Sequence, residues 1–267
     1  MVTPAASARV LLTTVFGDSL LPRGQAVGVQ QLAALVEPLG INERSVRTSL
    51  HRLGQEGLVQ SEKQGRQSFY RVADEALPIF ADANERIYRH EDPPWDGEWT
   101  VAMVANEDNG VVSLRDEFHW MGMAQLSPAV FVSPTRTPSE VADVASRHNV
   151  ALLLLSRGPQ DAVATINGEN LAGIVAPLPG LREEYLAHLA AFGSAREASL
   201  LGPADAFRLR TLLIDSWRRL VLRDLSLPSA LLPPDWPALD AFELTMRLRA
   251  DVEKSSEAHL DAVLGPA

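Results

Sequence analysis

Apolar residues recur with a helical period in three runs near the N-terminus and with a strand period directly after them. From Ala6 to Leu21, positions Val10, Leu11, Thr14, Val15 and Ser19 follow helical spacing, although the β-branched content leaves a strand open. From Val29 onward, Leu32, Leu35, Val36 and Leu39 repeat at helical spacing until Pro38 and Gly40 close the run. Asn42 then suits the N-cap of ERSVRTSLHRLGQEG, in which Val46, Leu50 and Leu53 form an i, i+4, i+7 stripe and Gly57 ends the helix. At about 100° per residue, Arg44, Thr48, His51 and Gln55 point away from that stripe, with Ser45, Arg47 and Arg52 on its flanks. The next stretch, LVQSEKQGRQSFYRV, alternates around a KQGR turn, which predicts a β-hairpin with Lys63 and Arg66 at its tip.

A Pro-rich, polar joint, HEDPPWDGEW, follows at residues 90–99 and reads as a domain boundary. Beyond it the pattern predicts a strand at 99–105, a helix at 111–121 and a strand between Gly122 and Leu126. A strand at 129–133, a helix opened by Thr137 and Pro138, and a strand at 150–155 complete a ferredoxin-like α+β module. From Leu181 the periodicity is helical, broken by the Pro-rich loop LPSALLPPDWP. The expected fold is therefore α+β and multidomain. A winged helix-turn-helix domain occupies 1–90, a ferredoxin-like middle domain 91–175 and a helical C-terminal domain 176–267.

Charge sharpens this picture. The chain has 267 residues and a net charge of −10, which taken alone argues against a polyanionic partner. Residues 1–90, however, carry ten Arg/Lys against nine Asp/Glu, so the excess of acid lies beyond them. Residues 42–71 hold Arg44, Arg47, Arg52, Lys63, Arg66 and Arg71 against only Glu43, Glu56 and Glu62. The absence of cysteine excludes disulfides, thiolate metal sites and cysteine nucleophiles. With no signal-peptide pattern and no run of about 18 apolar residues, the expectation is a cytoplasmic protein that does not span a membrane.

One string suggests catalysis. FGDSL at 16–20, after VLLTTV, is how one group of serine esterases presents its nucleophile, and a GDSL-type serine esterase with Ser19 as nucleophile is the alternative reading. That chemistry needs amide donors and a base, supplied in those esterases by Gly-x-Asn-Asp and by a C-terminal Asp-x-x-His. The first string is absent, Asp116-x-x-His119 lies mid-chain, and the residues before His259 read SEA. The six histidines lack metal-ligand spacing, and neither a phosphate-cradling loop nor a dinucleotide fingerprint occurs, so neither a metal nor a cofactor is expected and the protein is read as no enzyme. The helix, helix, hairpin order fits DNA binding better. Arg44, Ser45, Arg47, Thr48, His51 and Arg52 would meet base edges and phosphates, and Lys63 and Arg66 neighbouring phosphates.

These segments also carry a resemblance. LLTTVFGDSLLPRG, LGINERSVRTSLHRLGQEGLV, GRQSFYRV, ERIYRHEDPPWDGEW and RDLSLPSALLPPDWP together resemble the PaaX family of bacterial transcriptional regulators over nearly the whole chain. The resemblance implies a homodimeric winged-helix repressor of aromatic-acid catabolism on double-stranded operator DNA. It also implies release by an aryl-CoA thioester such as phenylacetyl-CoA. The segment WTVAMVANEDNGVVSLRDEF departs from the family pattern, which bears on the effector more than on the fold. An effector with phosphates and an aromatic acyl group would want arginines beside an apolar lining, as Arg208, Arg210, Arg218, Arg219 and Arg223 with Trp217 or the Trp236 loop could offer. The arginines fit an exposed helical face better, and the tryptophans core positions, so no effector residue is assigned.

Overall fold

A computed structural model describes residues 7–65, 67–90, 92, 94–105, 111–157, 178–195 and 197–266. Ser7 accepts a hydrogen bond from Val10 N–H and opens α1 (Ala8–Thr14). The helix runs on through a π turn at Val15–Leu20, in which Leu21 N–H donates to Phe16 O. The ambiguity over this run is thereby resolved as helix: Leu11, Leu12, Val15, Phe16 and Leu20 all enter one core, and that packing outweighs the β preference of Val and Thr.

A short strand, β1 (Val27–Gly28), leads into α2 (Val29–Leu35). The last turn of the predicted helix is instead a 3₁₀ turn at Glu37–Leu39, because Pro38 cannot donate to an α-helical ladder. Gly40, at φ 74°, takes the left-handed conformation that closes it. α3 (Glu43–Gln55) starts where expected, with the Asn42 side chain accepting from Ser45 N–H at 2.9 Å. β2 (Val59–Gln64) and β3 (Gln67–Val72) pair antiparallel, and β1 adds to the other edge of β3. The chain then forms α4 (Leu77–Tyr88), which buries Phe80 and Ile87.

The second sheet contains β4 (Trp99–Val104), β5 (Ala124–Ser127), β6 (Val130–Ser133) and β7 (Leu152–Arg157), with α5 (Val111–Trp120) and α6 (Pro138–Arg147) between them. Its order is β5-β6-β4-β7, antiparallel throughout. Thr137 caps α6 in a reciprocal box with Glu140, as the Thr-Pro signal predicts. Strand alternation sends Ala102, Phe131, Leu152 and Leu154 under α5 and α6, and Trp99, Val101 and Val132 to the opposite face against Leu225, Leu227 and Leu231. β7 begins two residues later than the apolar run suggests, because Val150 is taken up by the end of α6, where its N–H donates to Ala145 O.

Among the described residues, three further α-helices follow: α7 (Leu178–Phe192), α8 (Pro203–Val221) and α9 (Ala238–Leu264). The architecture is thus mixed α+β with two antiparallel sheets, and the chain divides into two compact units. One comprises residues 1–90, 185–222 and 237–267, the other 91–184 and 223–236. The C-terminal helices are therefore partners of the N-terminal ones. Phe207 of α8 and Leu260 of α9 complete the core formed by α1, α2 and α3.

Candidate nucleic-acid interface

α3 is sharply two-faced. Val46, Ser49, Leu50 and Leu53 are buried, while Arg44, Arg47, Thr48, His51, Arg52 and Gln55 are exposed and Ser45 is half-buried. Burial of an apolar stripe is what holds so short a helix in water, and it fixes which residues face outward. Thr48 Oγ donates to Arg44 O at 3.0 Å, which turns its hydroxyl back along the helix. Arg47 makes two contacts with Glu43 one turn earlier, through Nη2 at 2.5 Å and Nε at 3.1 Å, a pair worth little in solvent and exchangeable for a phosphate. Among the described residues, no carboxylate pairs with Arg44, Arg52 or Lys63. Their charge is available to a ligand.

The hairpin carries Lys63, exposed and opposite Ser68, next to a turn in which Gly65 has φ 66°. Arg66 lies outside the described residues. Arg71 differs from its basic neighbours. Its guanidinium grips Asp74 at 2.6 and 3.0 Å, and this contact with the added Gln60 hydrogen bond holds the Asp74 pKa at about 2. Arg71 is therefore committed to the protein, a distinction the basic strip at 42–71 does not reveal.

The FGDSL string has a different geometry from a nucleophile elbow. Ser19 is buried, and its Oγ donates to Asp18 Oδ2 at 3.3 Å, whereas a serine nucleophile needs a base that takes its proton and an open approach. Asp18 Oδ2 also accepts from Arg210 Nε at 2.7 Å, and Oδ1 from Tyr88 Oη at 2.5 Å and Arg249 Nε at 3.4 Å. Burial, then the Asp18 charge and hydrogen bond, push the Tyr88 hydroxyl far above its ordinary range, so it remains a donor. Gly17 leaves room for Phe80, since a Cβ there would lie 3.1 Å from that ring. Among the described residues, no group of three or more His, Asp or Glu side chains is placed to hold a metal ion.

The arginines considered for an effector are mostly engaged. An exposed helical face is wrong for Arg210, which is only 2 % exposed, and for Arg218, whose Nε donates to Thr14 Oγ at 2.8 Å. Arg219 pairs with the buried Asp215, and Arg223 with Glu184. Arg208 is exposed, Trp236 half-buried, and Trp217 is a core residue whose Nε1 donates to Ile87 O at 2.8 Å. Apolar periodicity misses this polar seam. Its only sequence signal is the aspartate embedded between Phe16 and Leu20, which demands a partner.

Comparison with known proteins bears on this arrangement. The family model for PaaX-like protein matches residues 7–76, that for the PaaX protein central Cas2-like domain residues 92–162, and that for the PaaX-like protein C-terminal domain residues 177–262. The chain is 32% identical over 247 residues to the transcriptional repressor PaaX of Escherichia coli (strain K12), covering 89% of this chain and 78% of that one. This chain belongs to the PaaX family. A solved structure of an uncharacterized protein from Mycobacterium tuberculosis has the same fold, with a TM-score of 0.58 at 22% identity over 96% of this chain and 99% of that one. In this PaaX family member the match at 177–262 is divided between the two compact units. Residues 185–222 and 237–262 join the N-terminal unit, and 178–184 and 223–236 join the middle one.

Proposed function

We propose that this protein is a transcriptional repressor that binds double-stranded DNA sequence-specifically as a homodimer. α3 enters the major groove and the β2–β3 hairpin serves as the wing of a winged helix-turn-helix domain. The observation that carries the reading is the division of α3 into a buried apolar stripe and an outward face on which Arg44 and Arg52 have no acidic partner among the described residues. A free guanidinium binds guanine bidentately or clamps phosphate, and Ser45, Arg47, Thr48 and His51 supply the neighbouring donors and acceptors. Lys63 and Arg66 would add phosphate contacts from the wing. Kinship with a transcriptional repressor of E. coli supports the same reading and disfavours the esterase.

The sheet order β5-β6-β4-β7 with α5 and α6 on one face supports a ferredoxin-like middle domain, within a chain whose sequence segments are 1–90, 91–175 and 176–267. We read the protein as cytoplasmic, and no helix among the described residues is long and apolar enough to cross a membrane. The regulated genes would serve aromatic-acid breakdown, phenylacetate in the first instance. An aryl-CoA thioester such as phenylacetyl-CoA would release the repressor by binding its DNA-incompetent form more tightly. The acidic bulk of the chain lowers non-specific affinity for a polyanion, leaving the few basic side chains between 44 and 66 to set site preference. A gel-shift titration on the DNA upstream of the protein's own gene, with and without a panel of aryl-CoA thioesters, tests both parts. Retention of that DNA over scrambled DNA is expected, with release by at least one thioester. Equal affinity for both DNAs refutes the repressor reading, and retention unaffected by any thioester refutes the effector.

A further inference from the structure

An alternating chain of charges runs through the first compact unit. Asp18 accepts from Arg249 and Arg210; Arg210 Nη1 donates onward to Glu257 Oε1 at 2.5 Å and to Ser256 Oγ at 3.1 Å, and its Nη2 to Asp18 O at 3.0 Å. Glu257 then accepts from Arg23, whose Nη2 also reaches Asp261 at 2.8 Å. Asp18 and Arg23 both come from FGDSLLPR, and the other links from α8 and α9. The side chains of Asp18 and Arg210 are each 3% exposed.

We propose that this Asp18–Arg210–Glu257–Arg23 chain is a positioning clasp that sets the register of the DNA-reading helices against α8 and α9, so that Asp18 governs operator discrimination although it lies in the protein interior. The inference rests on the DNA-binding reading above. Apolar contacts such as those of Phe207 and Leu260 are non-directional and tolerate sliding, whereas hydrogen-bonded charges hold one arrangement. A buried ion pair adds little stability over an apolar pair of similar volume, so its value here is the single geometry it selects. Transmission to α3 is short. Asp18 sits on the turn that continues α1, α1 shares its core with Val46, Leu50 and Leu53, and Arg9 of α1 pairs with Glu56 just past the end of α3 at 2.9 Å. On the other side His259 of α9 hydrogen-bonds Leu35 O at the end of α2 at 3.0 Å. Both helices of the reading pair are thus tied to the segment that holds the clasp.

The test uses the full-length chain in two variants, the apolar exchange Asp18→Leu/Arg210→Met and the milder Glu257→Gln, which interrupts the chain at a half-exposed link. Two readouts are taken: the ratio of operator to scrambled-DNA affinity, and amide hydrogen exchange of residues 8–20 and 43–55. The expected result for the double variant is a melting temperature near wild type and a discrimination ratio lower by about ten-fold, within the range seen for substitutions along coupled networks. Exchange in both segments is expected to be faster, and Glu257→Gln shifts both readouts in the same direction by less. A folded double variant with unchanged exchange in 43–55 overturns the clasp, as does wild-type discrimination. If the double variant does not fold, Glu257→Gln decides by the same criteria. Should wild-type protein bind no DNA, the DNA-binding reading fails, and the exchange readout alone still decides whether the clasp orders α3.

Discussion

On α3 the guanidinium groups of Arg44 and Arg52 stand in solvent with no carboxylate beside them among the described residues, whereas on α8 that of Arg210 is buried against Asp18 and Glu257 and that of the half-buried Arg218 lies against Thr14 and Asp215. The residue type is the same, and each helix carries several arginines, three on α3 and four on α8. What separates them is the partner. A guanidinium in water with no carboxylate nearby keeps its five donors for a ligand, and one surrounded by carboxylates in a dry seam has spent them on the fold. Arg47 and Arg71 lie between these extremes: Arg47 can exchange Glu43 for a phosphate, and Arg71 stays with an Asp74 that remains ionised.

The largest effect should come from the buried side. Arg210→Met leaves the Asp18 carboxylate in the interior without its nearest guanidinium, one of its four hydrogen-bond donors, and the expected loss of unfolding free energy is about 3–5 kcal/mol in a urea titration. A loss under about 1 kcal/mol would show that the seam is wetter and less structural than its burial implies.

Next comes the pH response of the same C-terminal helices. His188 Nε2 lies 2.8 Å from Thr245 Oγ, whose own hydroxyl donates to Ala241 O, so the ring donates from Nε2 and Nδ1 accepts from Ser216. Burial lowers its pKa to about 4 from 6.5. The unfolded chain therefore binds this proton first as pH falls, and stability that is complete above about pH 6.5 declines towards pH 4, by roughly 3 kcal/mol at most. His188→Gln should flatten that part of a stability profile measured by urea midpoints, and an unchanged slope removes His188 as its source.

On the exposed side, Arg44→Ala or Arg52→Ala should cost about 1–3 kcal/mol of operator affinity, read by fluorescence anisotropy, with a melting temperature close to wild type. The smallest expected change is for Lys63→Ala. Its salt dependence of binding should fall by about one phosphate equivalent while sequence preference stays.

Much of this fold is legible in the sequence because one face of each element is apolar. The stripe Val46, Leu50, Leu53, the Asn42 cap and the alternation around Lys63 place α3 and the hairpin, and Thr137-Pro138 places α6. α4 escapes notice because Phe80 and Ile87 are its only fully buried residues, while its other large aliphatics, Leu77 and Ile79, are exposed, so no continuous apolar stripe marks it. The seam escapes for a different reason. Arg210 meets Asp18 across 192 residues of chain, and no local period encodes a partner that distant. FGDSL resembles a catalytic string because a small, acidic, hydroxyl-bearing turn in an apolar run serves a buried ion network as readily as it serves a nucleophile.

The most direct measurement is operator discrimination, the ratio of affinities for operator and scrambled DNA at fixed salt, for Arg52→Ala and Arg71→Ala side by side. The account predicts that Arg52→Ala lowers the ratio by about ten-fold or more and that Arg71→Ala leaves it near wild type. Equal losses in both variants, or none in Arg52→Ala, would contradict it.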